Sequence, residues 1–111
     1  MSELDLPFDT ELEQHVLGCM ILDPNCISEL LEIGLKPKHF YHEGNAKFCR
    51  RLYEVWQEDP KRVDLALIGP SLGEFGYTVS RVVEIVRAIP TAANVTYYAE
   101  QVKQLAILRA A

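Results

Sequence analysis

Residues 10–24 read TELEQHVLGCMILDP. Thr10 and Glu13 have the spacing of a capping box, in which a threonine hydroxyl and a glutamate three residues on satisfy each other's orphan backbone donors. Leu12, Val16, Cys19 and Met20 then recur at intervals of four, three and one, the period of a helix face. This spacing predicts a first helix over residues 11–22. Asp23 before Pro24 is an N-cap with proline at the first helical position, where its missing N–H is no loss. A second helix follows, with Ile27, Leu30 and Leu31 as its apolar stripe and Gly34 as its stop.

Outward from there the helical period persists. A third helix starts at Gly44 or Asn45 and carries Phe48, Leu52, Val55 and Trp56 on one face. Lys47, Arg50, Arg51 and Glu54 turn to solvent, and Pro60 ends it. Asp64 can cap a short helix with Leu65 and Ile68 inward. Gly69, Pro70, Gly73 and Gly76 crowd the next segment, so that helix is expected to be short, broken or restarted at Pro70. Val79, Val82, Val83, Val86 and Ile89 form a cleaner stripe behind a Thr78 cap, stopped before Pro90; their β-branched content leaves a strand as the alternative. A last helix begins near Thr91 or Asn94, with Val95, Tyr98, Ala99, Val102, Leu105 and Ala106 inward. Its period is still running at Leu108 with no Gly or Pro after Leu105, which reads as a helix cut short. The expected fold is all-α, a compact orthogonal bundle of about six helices forming one domain over residues 1–111.

A chain of 111 residues can bury roughly 65% of its unfolded surface and fold without staples. Its three cysteines, an odd number behind an acidic N-terminus with no signal-peptide pattern, point to reduced thiols and a cytoplasmic setting. No apolar run approaches the roughly 18 to 20 residues of a membrane span. Net charge is -5, and its distribution says more than its sum. Eight of the sixteen acidic residues lie in positions 1–35, which hold no Lys or Arg, whereas positions 36–62 hold seven basic residues against four acidic. The acidic third repels a phosphate backbone, so little direct nucleic-acid binding is expected and a protein partner with a basic patch fits better.

Chemistry finds little support. His15, Cys19, Cys26, His39, His42 and Cys49 could supply metal ligands, but their spacings lack the paired arrangements of structural zinc modules, and Cys19 falls in an apolar stripe. Ser28, Ser71 and Ser80 sit in no nucleophile elbow. GPSLGEFGY, residues 69–77, lacks a phosphate-loop pattern and reads as a turn. Glu11 and Glu13 read as first-turn acids facing a helix dipole. Lys47, Arg50 and Arg51, with Lys36, Lys38 and Tyr53 near, could touch nucleic acid, though such a run is more often a solvated helix face. Tyr97 should face outward beside the core residue Tyr98 and could serve at an interface.

Glu11, Glu13, Gln14, Leu17, Gly18 and Asp23 match the opening pattern of the N-terminal domain of bacterial DnaB-type replicative DNA helicases, which the chain resembles. The likeness continues through LKPKHFY (35–41), RRLYEVW (50–56), VDLALIGPSL (63–72) and IPTAANVTYYAEQV (89–102), in the family's order and spacing. The chain departs from the pattern at Gly44-Asn45, where the family has a histidine-containing step. It departs again in DLALIGP, where a threonine is replaced, and at Arg81, where relatives often place a tyrosine.

The resemblance implies that residues 35–41 are a structural elbow, with Phe40 and Tyr41 wedged between helices and His39 and His42 at the surface. It implies a non-catalytic domain that forms the collar of a hexameric ring as a trimer of dimers and docks the helicase-binding domain of primase, with a helicase loader as a further partner. ATP and Mg would belong to a motor domain, and no Walker motif occurs in these 111 residues. Family members continue the last helix into a helical hairpin. Glu11 is the contact residue the resemblance carries over, with Arg81 and Tyr97 added from exposure and position; a monomer or weak dimer is expected. The alternatives are a stand-alone truncated homologue that regulates the helicase and a small helical DNA-binding domain.

Overall fold

The computed structural model describes residues 8–110. Six α-helices follow one another: α1 (Thr10–Leu22), α2 (Cys26–Glu32), α3 (Glu43–Glu58), α4 (Leu65–Ile68), α5 (Val79–Arg87) and α6 (Val95–Ala110). Three 3-10 turns, Pro37–His39, Pro60–Arg62 and Gly69–Phe75, connect them. Among the described residues all regular structure is helical, so the strand alternative for residues 79–87 falls away.

Local chemistry sets most of these boundaries. Asp9, not Thr10, caps α1: its carboxylate accepts the Leu12 N–H at 3.0 Å. The expected capping box does not form, because Thr10 is already helical and shares a 2.7 Å hydrogen bond with His42 Nε2, while Glu13 is buried. α2 starts two residues beyond Pro24, since the Asp23 carboxylate accepts the Asn25 N–H at 3.2 Å and holds a turn first. Gly34, at φ +79°, ends it, and the Leu35 N–H returns to the Leu30 carbonyl at 3.0 Å, the six-residue closure of a Schellman cap.

The elbow is built as expected at Phe40, which is buried, and not at Tyr41, which is 39% exposed and stacks on Phe8 at 4.2 Å. His39 and His42 are half-buried rather than at the surface; the His39 ring accepts the Lys36 N–H at 2.9 Å. Tyr53 locks the elbow from α3, its hydroxyl donating to the Leu35 carbonyl at 2.7 Å, so it is core and not part of a surface patch. Asp64 caps α4 through the Ala66 N–H at 2.7 Å, and the helix passes into the 3-10 turn around Pro70 as the glycine-rich segment suggested. Thr78 caps α5 by accepting the Arg81 N–H at 3.1 Å. Val82 is buried there, but Val79 is 48% exposed; Ile85 and Val86 take the half-buried positions instead.

α1 lies at the centre, packed on α2, α3, α5 and α6. Val16, Leu17, Met20, Ile27, Leu30, Phe48, Leu52, Val95 and Val102 fill the space between them. The radius of gyration, 13.5 Å, is close to the value of about 13 Å for a compact chain of about 100 residues. Cys19, Cys26 and Cys49 are buried free thiols. Burial pushes Cys19 up to about 11 and Cys26 and Cys49 up to about 12, so they remain protonated small hydrophobes.

Candidate protein-docking face

Gln14 and His15 stand one turn after Glu11 on α1, and Arg81, Glu84 and Ile85 repeat at helical spacing on α5, with Ala88 at its C-cap. The two rows flank an open groove of about 180 Å³ floored by Ile85 and Ile89. Gly18 lies on α1 against Ile85 and Ile89. A Cβ at that position would come within 2.5 Å of Ile89 Cδ1 and 2.9 Å of Ile85 Cγ2, so a larger residue requires those side chains to shift.

Arg81 crosses the groove: one guanidinium nitrogen donates to Gln14 Oε1 at 3.0 Å and the other to Glu84 at 3.1 Å. It joins the two helices as well as lying on the face, a role its position in the sequence did not reveal. Glu11 is exposed on the same groove and has no hydrogen-bond or ion-pair partner among the described residues. Tyr97 is 65% exposed and is reached through a chain of rings. It packs edge-on against Tyr98 at 5.6 Å, and Tyr98 packs against His15 at 4.5 Å. Burial lowers the pKa of His15 below its usual range, which favours the neutral ring in this packing. Glu11 and Arg81 thus line one groove, and Tyr97 is linked to His15 of that groove through Tyr98.

Glu13, expected as a first-turn acid facing the helix dipole, is buried toward the elbow and the start of α3. It is 2% exposed, and its carboxylate accepts the Tyr41 N–H at 2.6 Å, the His42 N–H at 3.4 Å and the Asn45 side-chain amide at 2.8 Å. The Tyr77 hydroxyl donates to the other end of Asn45 at 2.5 Å. α1 is thus pinned to the start of α3, where a carboxylate also complements the helix dipole. Asn45 belongs to the segment that departs from the family pattern, and its burial was hidden because its partner is 32 residues away.

Residues 5–104 match the DnaB-like helicase N terminal domain family. The chain belongs to that family. It is 37% identical over 97% of its length to the replicative DNA helicase DnaB of Geobacillus stearothermophilus. It is 32% identical over 93% of its length to the replicative DNA helicase DnaC of Bacillus subtilis. It spans 24% and 23% of those two proteins, respectively, and matches their N-terminal domain rather than a motor. The crystal structure of the N-terminal domain of DnaB helicase from Mycobacterium tuberculosis superimposes with a TM-score of 0.80 at 29% identity, covering 95% of this chain and 77% of that one. The DnaB-like fold is all-helical, as its sequence pattern indicated. Among the described residues no three His, Cys, Asp or Glu side chains converge as a metal-ligand set, and no helix is long and apolar enough to cross a membrane.

Proposed function

We propose that this DnaB-like domain is a scaffold and docking module of a replicative helicase in the cytoplasm. It contributes to the collar of the ring through other copies of itself, and its α1/α5 face receives the helicase-binding domain of primase. ATP hydrolysis and strand translocation belong to a separate motor domain, and a helicase loader is a further partner of the collar. The observation that supports docking is the exposed Glu11 carboxylate, without a partner among the described residues, on a groove that the Arg81 cross-link spans. An exposed acid on a rigid apolar-floored groove suits a partner that brings a basic side chain.

A DNA-binding role for the α3 face has less support. Lys47 pairs with Glu43 at 3.3 Å, Arg62 pairs with Glu58 at 3.8 Å, and Tyr53 is buried. The docking role is tested by calorimetric titration of the chain with the helicase-binding domain of primase. Saturable binding that weakens with salt is expected, with Glu11→Lys weaker by at least about tenfold, or about 1.4 kcal/mol. Unchanged affinity for Glu11→Lys would remove Glu11 from the site; no binding at low salt would leave only the collar role.

A further inference from the structure

A carboxylate and a cation share the α1/α5 groove and do not pair. Glu11 and Arg81 both line it, yet the Arg81 guanidinium is turned to Gln14 Oε1 at 3.0 Å and to Glu84 at 3.1 Å, and Glu11 has no partner among the described residues. Opposite charges on one groove attract, so a third group must hold Arg81 away from Glu11. Glu84 holds one nitrogen from the same helix, three residues on, and Gln14 holds the other from α1. A glutamine amide can turn its oxygen or its nitrogen outward, and only the oxygen accepts from a guanidinium.

The orientation of that amide is set from behind. Gln14 and Tyr77 line the same two hollows, and the Gln14 side chain is a hydrogen-bonding neighbour of the Tyr77 oxygen. The Tyr77 hydroxyl donates to Asn45 Oδ1 at 2.5 Å, which leaves its oxygen to accept from the Gln14 NH2. Asn45 Nδ2 donates in turn to Glu13 Oε1 at 2.8 Å, and Glu13 is enclosed. Every donor therefore points inward: Arg81 to Gln14, Gln14 to Tyr77, Tyr77 to Asn45, Asn45 to Glu13. Hydrogen bonds aligned in this way polarise one another, and a terminal carboxylate, which only accepts, fixes their direction. Burial holds the Tyr77 phenol above its ordinary range and so keeps it a donor; Gln14 and Arg81 oppose this and Glu13 adds to it.

We propose that Tyr77 and Asn45 are positioning residues for the docking face. Their chain to Glu13 fixes the Gln14 oxygen toward Arg81, which keeps Arg81 from neutralising Glu11 and leaves Glu11 for a cation of the partner. The role of the partner rests on the docking function proposed above, whereas the hold on Arg81 belongs to the free chain. Tyr77 is not among the residues lining the groove, so loss of its hydroxyl acts through Gln14 and Arg81 and not through a lost contact with the partner.

The test uses Tyr77→Phe, which keeps the ring beside Phe48, 5.5 Å away, with circular dichroism to check folding. Its first arm follows the Arg81 Nε–H resonance of the free 111-residue chain by heteronuclear NMR. Glu11→Gln should leave that signal in place in the parent and move it in Tyr77→Phe, where Arg81 is released to pair with Glu11. A signal that Glu11→Gln moves equally in both backgrounds, or in neither, overturns the proposal. The second arm is calorimetric titration with the helicase-binding domain of primase. Tyr77→Phe should weaken binding about two- to fivefold, the range of an exposed ion pair, and by less than about 1.5-fold when Arg81→Ala is already present. No loss in the parent, or an equal loss in both backgrounds, overturns the proposal, since a merely structural role of the hydroxyl would act without Arg81. Absence of primase binding by the parent would overturn the docking function alone, and the NMR arm would still decide whether Arg81 is held.

Discussion

Glu13 and Glu11 stand two residues apart in one helix and do opposite things. Glu13 is enclosed and accepts the Tyr41, His42 and Asn45 donors, so replacing it leaves buried donors unsatisfied. Glu13→Gln is expected to lower stability by about 1 to 3 kcal/mol in urea denaturation, because its amide donor would face backbone N–H groups. Glu11→Gln should stay within about 0.5 kcal/mol of the parent, as an exposed substitution does. Equal effects at the two positions would contradict the assigned environments. A pH dependence follows from His15 and His39, both held below the usual histidine value of 6.5, chiefly by burial. The unfolded chain then takes up protons first as pH falls through 6.5 toward the lower folded values, so stability is full above that value and declines below it. A lower urea midpoint at about pH 5.5 than at about pH 7.5, made shallower by His15→Gln with His39→Gln, is the expected result.

Between elements, two glycines set how closely helices approach. Gly18→Ala would push a methyl into the side-chain ends of Ile85 and Ile89, which must shift; overpacking of this kind costs about 1 to 3 kcal/mol, offset by up to about 1 kcal/mol of helix propensity. Gly44→Ala meets the Phe75 backbone carbonyl, which cannot rotate away, and should cost more than Gly18→Ala in the same assay. A stabilised Gly18→Ala would show that the groove is not held at its present width. The six helices were legible because each carries its own apolar period and most carry a local stop or cap: Gly34, Pro60, Asp64 and Thr78 all act where the pattern put them. The start of α1 was misread because Asp9 and Thr10 are both competent caps, and the choice was made by His42, 32 residues away. Val79 fitted the α5 stripe by spacing, yet it faces out because the buried side of that short helix is centred on Val82. Which residues line the groove was only half legible: Glu11 and Arg81 fall on it, whereas Gln14 and His15 owe their places to contacts with Arg81 and Tyr98 on other helices.

At the scale of the molecule the charge is uneven along the chain: positions 1–35 hold eight of the sixteen acidic residues and no Lys or Arg, and positions 36–62 hold seven basic residues against four acidic. On its own it is expected to scatter light as a monomer or weak dimer, near 12.6 kDa rather than six times that mass. A stable hexamer would show that the 111 residues hold enough interface to close a ring. The central claim is that the α1/α5 groove is the surface that meets primase. Amide hydrogen exchange of the chain, with and without the helicase-binding domain of primase, tests it most directly, because it locates the contact without altering any side chain. The account predicts added protection in the first two turns of α1, along α5 and around Tyr97, with α4 unchanged. Protection confined to α4, to the end of α6 or to no segment would contradict it.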